Sequence, residues 1–338
     1  MSKFAYAKAR TDDAGMMELV DIHDSKSCGG NPMRVQVSLP APMLRPKIIA
    51  VVGPTASGKS DLAVEIAKKH NGEVVSADSR QVYVGLNIGT GKITKKEMAG
   101  VPHHLLDVAN PKNRFTVSTY KELADKAIAD ILSRGKLPII CGGTGFYIES
   151  VVKNVLLPDV PVNIKLREKL SKKTAPQLFE MLKKLDTDRA LAIGQHNKVR
   201  LIRAIEIVQT LGKVPPLKTE PKYEVLSIGI KTEKNILKEK INARLISRIK
   251  QGMIGEAKKL HVVGLSWKRM KELGLEYRAL AQHLSEEITK QEMIDQLSRE
   301  IYQYARRQIQ WFKRDQNIHW FEVDQTDKID TTVKKFLK

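Results

Sequence analysis

The sequence predicts an α/β fold: a parallel sheet with helices on both faces, interrupted by a helical insert. Three observations predict it. From Lys47 onward, short apolar runs alternate with amphipathic segments of helical period, the pattern of strands buried on both sides by crossover helices. Two of those runs open directly into glycine-rich turns. Residues from about 160 to 212 are charged and helical in period, without strand signals.

Taken in order, Ile48–Val52 is a short buried strand that runs into a glycine loop, and Asp61–Lys69 is an amphipathic helix. Glu73–Ala77 is a second strand, ending at Asp78. Leu105-Leu106 falls in a short strand. Thr119 and Glu122 have the spacing of a capping box, and the helix they start stops near Gly135. Leu137–Cys141 is another buried strand, opening into Gly142-Gly143-Thr144-Gly145. Within the charged stretch, Val199–Leu211 is the clearest helix, closed by Gly212 and then Pro215-Pro216. Tyr223–Ile230 alternates like a strand, residues 233–264 and 286–314 read as helices, and Ile318–Phe321 as a last strand. No repeat of fixed period is present. The expected division is a first part of the core at 47–158, a helical insert at 159–212, and a return to the core with C-terminal helices at 213–338.

Composition narrows the partners. Of 338 residues 42% are hydrophobic, enough to fill a large core. No apolar run is long enough to cross a membrane. Cys28 and Cys141 are the only cysteines, which excludes a disulfide scaffold and any four-cysteine metal site and fits a reducing cytosol. The formal charge is +20, which favours a polyanionic partner. Residues 1–150 hold 20 Lys and Arg against 15 Asp and Glu, whereas residues 151–338 hold 38 against 23, so the second half carries that signal. Residues 1–46 lack sustained periodicity and a signal-peptide core, and contain five carboxylates. They read as a disordered extension, or as translation from a start upstream of Met33 or Met43.

Gly53-Pro54-Thr55-Ala56-Ser57-Gly58-Lys59-Ser60 matches the phosphate-loop pattern G-x-x-x-x-G-K-[ST] and lies between a predicted strand and a predicted helix. The glycines let backbone N–H groups converge on phosphate oxygens, and the helix N-terminus adds partial positive charge. Lys59 supplies a point charge and the Ser60 hydroxyl can ligate Mg²⁺. The pattern selects a diphosphate or triphosphate without choosing ATP.

Asp78, followed by Ser79, Arg80 and Gln81, closes the second strand, and ligands gather at the carboxyl ends of parallel strands. A carboxylate there can take a proton from a nucleophile, help hold a metal, or simply cap a turn. Thr144 has the same placement after its strand, where it can touch a phosphate oxygen or the nucleophile, or belong to a tight turn. Arg200 and Arg203 share a helix face suited to bidentate phosphate contacts, with Leu201, Ile202, Ile205 and Val208 on the buried side. Between Tyr302 and Arg314, basic residues including Arg306 and Arg307 interleave with aromatics, as suits an RNA backbone and stacked bases. The stripe Leu297, Ile301, Ala305, Ile309 and Phe312 on that helix reads as core. His103-His104 reads as structural rather than metal-binding.

Together these segments resemble the tRNA dimethylallyltransferases, also called tRNA isopentenyltransferases. The resemblance rests on Gly53–Ser60, Asp78-Ser79 with Tyr83, Gly89–Lys92, His103–Asp107, Gly142-Gly143-Thr144, Arg200–Glu206 and Ala305–Phe312, in the family's order. It implies a P-loop NTPase-like parallel sheet flanked by helices, with an inserted helical subdomain and a helical C-terminal region. It implies transfer of a dimethylallyl group from dimethylallyl diphosphate to the exocyclic amine of the adenine 3′ of the anticodon in tRNA, in the cytoplasm, with Mg²⁺ and no obligate protein partner. Asp78 would be the general base, Thr144 would hold the reacting region, and Lys59 with the rest of the loop would bind the diphosphate, Mg²⁺ joining through Ser60. tRNA contacts would fall to Asp78, Ser79, Arg80, Gln81, Thr144, Arg167, Val199, Arg200, Leu201, Ile202 and Arg203, with Arg306 and Arg307. The chain departs from the family at Ile301-Tyr302, where a Thr-Arg pair is usual, at Gly274–Arg278, and at His196-Asn197. These positions touch RNA docking more than phosphate chemistry. Competing readings are a P-loop kinase of small molecules, an enzyme prenylating free AMP, and a nucleotide-regulated RNA-binding protein.

Overall fold

The computed structural model describes residues 45–338; the expectations for 1–44 lie outside them. Strand β1 (Lys47–Val52) leads through the glycine loop into α1 (Lys59–Lys69), so Lys59 and Ser60 form the helix's first turn. Strand β2 (Gly72–Ser76) follows, then the short α2 (Lys95–Met98), capped by Thr94 and Glu97. Strand β3 is His103–His104. The strand expected at Leu105-Leu106 thus lies just before those residues: Leu105 takes φ +64°, which ends the extended run, and turns its side chain into the core. Helix α3 (Val117–Ser133) is capped by Thr116, whose Oγ1 accepts from the Thr119 amide. The expected capping box at Thr119 and Glu122 is not used; Glu122 pairs with Lys126 one turn on. Phe115 and Tyr120 flank the true cap and join one apolar cluster, which sets the entry angle.

Strand β4 (Leu137–Gly142) is followed by α4 (Gly145–Val152) and by β5 (Val155–Leu156). The insert comprises α5 (Ile164–Ser171), α6 (Ala175–Leu185), α7 (Thr187–Ile193) and α8 (Lys198–Leu211). It has its own apolar centre, including Leu170, Leu178, Leu182, Leu201, Ile205 and Val208. The chain returns through β6 (Lys218–Thr219), which pairs with β5, into β7 (Glu224–Lys231).

Next come α9 (Lys234–Lys250), α10 (Met253–Val262), α11 (Trp267–Leu273), α12 (Leu275–Leu284) and α13 (Lys290–Phe312), then β8 (Ile318–Glu322) and α14 (Thr326–Leu337). The single helix expected over 233–264 is two, because Gly252 takes φ +101° between them. Helices α11 and α12 had no counterpart in the sequence reading. The C-terminal region is helical as expected: α9–α13 lie between β7 and the last strand β8, and α14 follows it.

The sheet has the order β3-β2-β4-β1-β7-β8, and every pair is parallel. Successive residues of β1 feed opposite layers: Ile48, Ala50 and Val52 pack with α3 and α4, whereas Ile49 and Val51 pack with α1 and α14. Burial on both faces explains why the strands read as continuous apolar runs. The strand order matters more than the strand count. It places β4 between β2 and β1, so the turn after β4 lies between Asp78 and the glycine loop.

One polar group sits inside this frame. Glu73 on β2 is 2% exposed and receives Arg134, Lys136 at 2.7 Å and His104 at 2.7 Å. The Arg134 hydrogen bond, opposed by burial and reinforced by Lys136 and His104, holds its carboxyl far below the usual carboxylate range. A depressed carboxyl stabilises the fold above its unfolded pKa of about 4.3 and loses that contribution as the pH falls below it. Glu73→Gln is therefore expected to destabilise the protein at neutral pH by roughly 1–3 kcal/mol, on the scale of stranded charged donors. It should also flatten the decline in thermal midpoint between pH 5 and pH 2, which calorimetry would measure.

Candidate active site

The glycine loop turns at Ala56 (φ +63°) and Gly58 (φ +90°), conformations open to glycine and strained for alanine. Gly58 stands at the N-cap of α1 without a side-chain cap, so the loop presents a bare helix N-terminus. Lys59 curls back over the loop, its Nζ donating to the Pro54 carbonyl at 3.1 Å. Burial lowers its basicity, while Cys141 and Asp78 oppose the shift and Arg244 adds to it. Ser57 is 1% exposed, yet its hydroxyl finds no partner among the described residues. A hydroxyl orphaned inside such a loop is placed to donate to an anion.

Across the turn after β4, Asp78 divides its carboxylate between two tasks. Oδ1 accepts from the amides of Arg80 at 2.8 Å and Gln81 at 3.3 Å, which shapes the turn. Oδ2 takes no hydrogen bond among the described residues. The capping and chemical readings of this residue are thus compatible. Thr144 stands beside it, with Oγ1 accepting from the Ser79 amide at 2.9 Å and its own amide donating to the Ala77 carbonyl at 3.1 Å. Tyr304 of α13 completes the group. Burial and the Asp78 charge push its hydroxyl up to about 12, against the pull of Thr144 and Arg80, so it stays protonated at neutral pH.

The two halves of the site are tied together by Gln308 of α13. Its Oε1 accepts from the Thr55 amide at 2.8 Å, and its Nε2 donates to the Gly143 carbonyl at 2.8 Å. The sequence reading did not single out Gln308. The signal was present: it is a polar residue on the otherwise apolar stripe with Ala305 and Phe312. Arg244 and Arg248 of α9 were also missed. Gly91 lies against both guanidiniums, and Arg248 donates to the Gly89 carbonyl at 2.9 Å. That loop is pinned by Glu256, which accepts from the amides of Asn87, Ile88 and Gly89 and from the Tyr277 hydroxyl. Gln81 reaches the same loop through the Gly91 carbonyl at 3.3 Å.

The residues expected to meet RNA fall into two groups. Asp78–Gln81 and Thr144 belong to the site just described. Arg167, Arg200 and Arg203 lie elsewhere, on a cleft of about 1260 Å³ between the insert and the core, which Arg189, Phe146, Trp311 and Arg314 also line. Neither Asp78 nor Lys59 lines this cleft; it reaches the site through Gly145, next to Thr144. Glu206 is 1% exposed and orders the cleft's cationic wall. It accepts from Arg167 at 2.6 Å, from Arg203 and from the Asn163 amide. Val199 is 78% exposed and Arg200 is exposed, so both are available to a partner. Leu201 corrects an expectation: it is fully buried in the insert's centre, so its side chain cannot contact RNA, and Ile202 is half-buried. Arg306 and Arg307 are exposed on α13, with Arg307 over the Tyr304 ring at 5.9 Å. His103 and His104 bond to Val101 and Glu73, and no cluster of metal-binding side chains occurs among the described residues.

A phosphate loop on the central strand, a carboxylate at the end of a nearby parallel strand and a helical insert walling an arginine-lined cleft are the arrangement of a P-loop fold. Comparison with known proteins carries the assignment further. The IPP transferase family model matches residues 81–315, and the chain belongs to that family. The tRNA dimethylallyltransferase of Caldanaerobacter subterraneus is 40% identical over 290 residues, 82% of this chain and 92% of that one. That of a Thermoanaerobacter species is 38% identical over 304 residues, 86% of this chain and 96% of that one. The crystal structure of a tRNA isopentenylpyrophosphate transferase from Bacillus halodurans superposes with a TM-score of 0.67 at 37% identity, covering 86% of this chain and 96% of that one. A eukaryotic dimethylallyltransferase acting on tRNA shares the fold, with a TM-score of 0.72 at 24% identity, covering 86% and 77% of the two chains.

Proposed function

We propose that the protein transfers the dimethylallyl group from dimethylallyl diphosphate to the exocyclic amine of the adenine 3′-adjacent to the anticodon, position 37, in tRNA. The observation that carries this reading is the placement of Asp78 Oδ2 and the P-loop on either side of the Thr144 turn, joined by Gln308. The adenine N6 attacks C1 of the allyl group, the C1–O bond breaks, and diphosphate leaves with the electron pair. The proton released from N6 passes to Asp78. Lys59 and the bare N-terminus of α1 stabilise the charge that develops on the diphosphate, and Arg244 of α9 adds positive charge beside Lys59. Tyr304 and Thr144 frame the reacting nitrogen.

The donor set suits Mg²⁺, which keeps water and draws most of its remaining oxygens from a phosphate ligand. Ser60, in the first turn of α1, would hold it. When bound, the ion spreads the leaving group's negative charge. No helix among the described residues is long and apolar enough to cross a membrane. We place the protein in the cytoplasm because its substrate RNA is there.

The test is mass spectrometry of nucleosides after incubating the protein with tRNA and dimethylallyl diphosphate. N6-dimethylallyladenosine supports the reading. Transfer of label from γ-labelled ATP to a small molecule, with no prenylated RNA, would establish the kinase alternative, and preferential use of AMP over tRNA would establish the free-nucleotide one.

The cleft supplies a second prediction. Arg200 bears an exposed guanidinium, whereas Arg203 is already engaged by Glu206 and the Val160 carbonyl. Arg200→Ala should weaken tRNA binding and lower the salt-dependence slope by about one. Arg203→Ala should weaken binding and also lower the thermal midpoint, because Glu206 loses a buried partner. Titrations at several salt concentrations, read beside thermal melts, would separate the two effects. An unchanged slope for Arg200→Ala would remove it from the interface.

A further inference from the structure

We propose that Trp311 and Phe146, with Arg314 lying over the indole, form a stacking subsite for an unpaired RNA base adjoining the one that reacts. The proposal rests on the acceptor reading given above. Tyr304, Gln308 and Trp311 stand at i, i+4 and i+7 on α13 and so share one face. That face runs along the turn after β4. Tyr304 meets Thr144, Gln308 holds Gly143, and a Cβ placed on Gly145 would lie 2.2 Å from Trp311 Cδ1. The indole therefore lies one helical turn beyond Gln308, beside the acceptor group, where the cleft begins.

The chemistry of this corner suits a base. The Phe146 ring meets Trp311 edge-on, with centroids 6.4 Å apart at 63°. The Arg314 guanidinium covers the indole at 4.0 Å. The guanidinium fills that face of the indole, so the base would stack on the outer side of the Trp311–Arg314 pair, an arginine plane being itself a platform for splayed-out bases. Core packing accounts for only part of the pair: one edge of Trp311 packs against the apolar cluster that includes Phe312. Ala305 and Phe312 on the neighbouring stripe of α13 are buried, whereas Trp311 and Phe146 are only half-buried and line the cleft. The surroundings complement a polyanion, with four further arginines on the insert's side. Two of the cleft's carboxylates, Glu149 and Asp315, are paired to Lys153. An isoprenoid chain fits this place poorly, because a cation-like allyl centre calls for shielding from water and this cleft is open and arginine-lined.

The experiment uses the full chain and an anticodon stem–loop hairpin with 2-aminopurine replacing the base on one side or the other of the target adenine. With the unsubstituted protein, 2-aminopurine fluorescence should be quenched on binding at one of the two positions. Trp311→Leu should abolish that quenching and raise KM for the hairpin roughly 10-fold, the scale of one lost base–aromatic stack. KM for dimethylallyl diphosphate should stay unchanged. Phe146→Leu should give a smaller change in the same direction, and Trp311→Phe should restore most of the binding. The salt slope should be the same in all of them, since no charge is altered. No quenching at either position with the unsubstituted protein would overturn the proposal, as would a rise in KM for the diphosphate instead of the hairpin. Prenylation of the unmodified hairpin by the unsubstituted protein is scored separately. Its failure would defeat the parent reading, whereas its success without quenching would defeat the stacking subsite alone.

Discussion

Asp78→Asn is expected to lower turnover by roughly 10²–10⁴-fold, the range for loss of a positioned general base. The substitution isolates chemistry from architecture because the carboxylate's two oxygens have separate work. Asn retains an Oδ1 that can accept from the Arg80 and Gln81 amides, so the turn after β2 keeps its shape. What changes is Oδ2, the atom with no hydrogen bond among the described residues, which becomes an amide nitrogen unable to accept a proton. Binding of both substrates should change little, and the loss should appear in single-turnover rates of prenyl transfer at saturating RNA. Turnover within tenfold of the unsubstituted protein would mean that the N6 proton leaves by another route.

Lys59→Ala should cut turnover by roughly 10²-fold or more, on the scale of removing one preorganised donor from a developing charge. Among the described residues its Nζ holds only the Pro54 carbonyl, and the loop has independent support from Gln308 at Thr55. The loop should therefore keep its form while losing its point charge. Burial already lowers the lysine's basicity, so a bound diphosphate would be the partner that best compensates its charge. If the charge acts mainly on the leaving group, kcat falls more than KM for dimethylallyl diphosphate rises. Near-normal turnover would exclude the loop as the diphosphate site, whatever the thermal stability of the variant.

Local signals carried well from chain to structure. A buried run, a glycine loop and a helix start are contiguous between Lys47 and Lys69, so each constrains the next, and the phosphate loop stands where the pattern put it. The same holds for β4 opening into Gly142–Gly145 and for α8 ending at Gly212. Failures occurred where local patterns compete. Thr116 and Thr119 both offer a cap, and the apolar packing of Phe115 and Tyr120 favours the first. The family resemblance groups Leu201 with its neighbours for RNA contact, although its spacing from Ile205 and Val208 places it on the buried face.

The order of the strands and the partners of the site's side chains were decided by tertiary packing. No local feature of β4 says that it inserts between β2 and β1, which is what brings Thr144 between Asp78 and Lys59. Gln308 reaches Thr55 across 253 residues of sequence, and Arg248 reaches Gly89 across 159. Such pairs form because the α9–α13 helices bury their own apolar faces together and then have one way to sit against the sheet's carboxyl edge. The sequence by itself determined a phosphate loop, an acidic strand end, a basic second half and the family they belong to. The three-dimensional structure alone decided which oxygen of Asp78 is left for chemistry, which arginines are already spent on Glu206, and where the cleft opens, because each depends on distances between segments that the chain order keeps far apart.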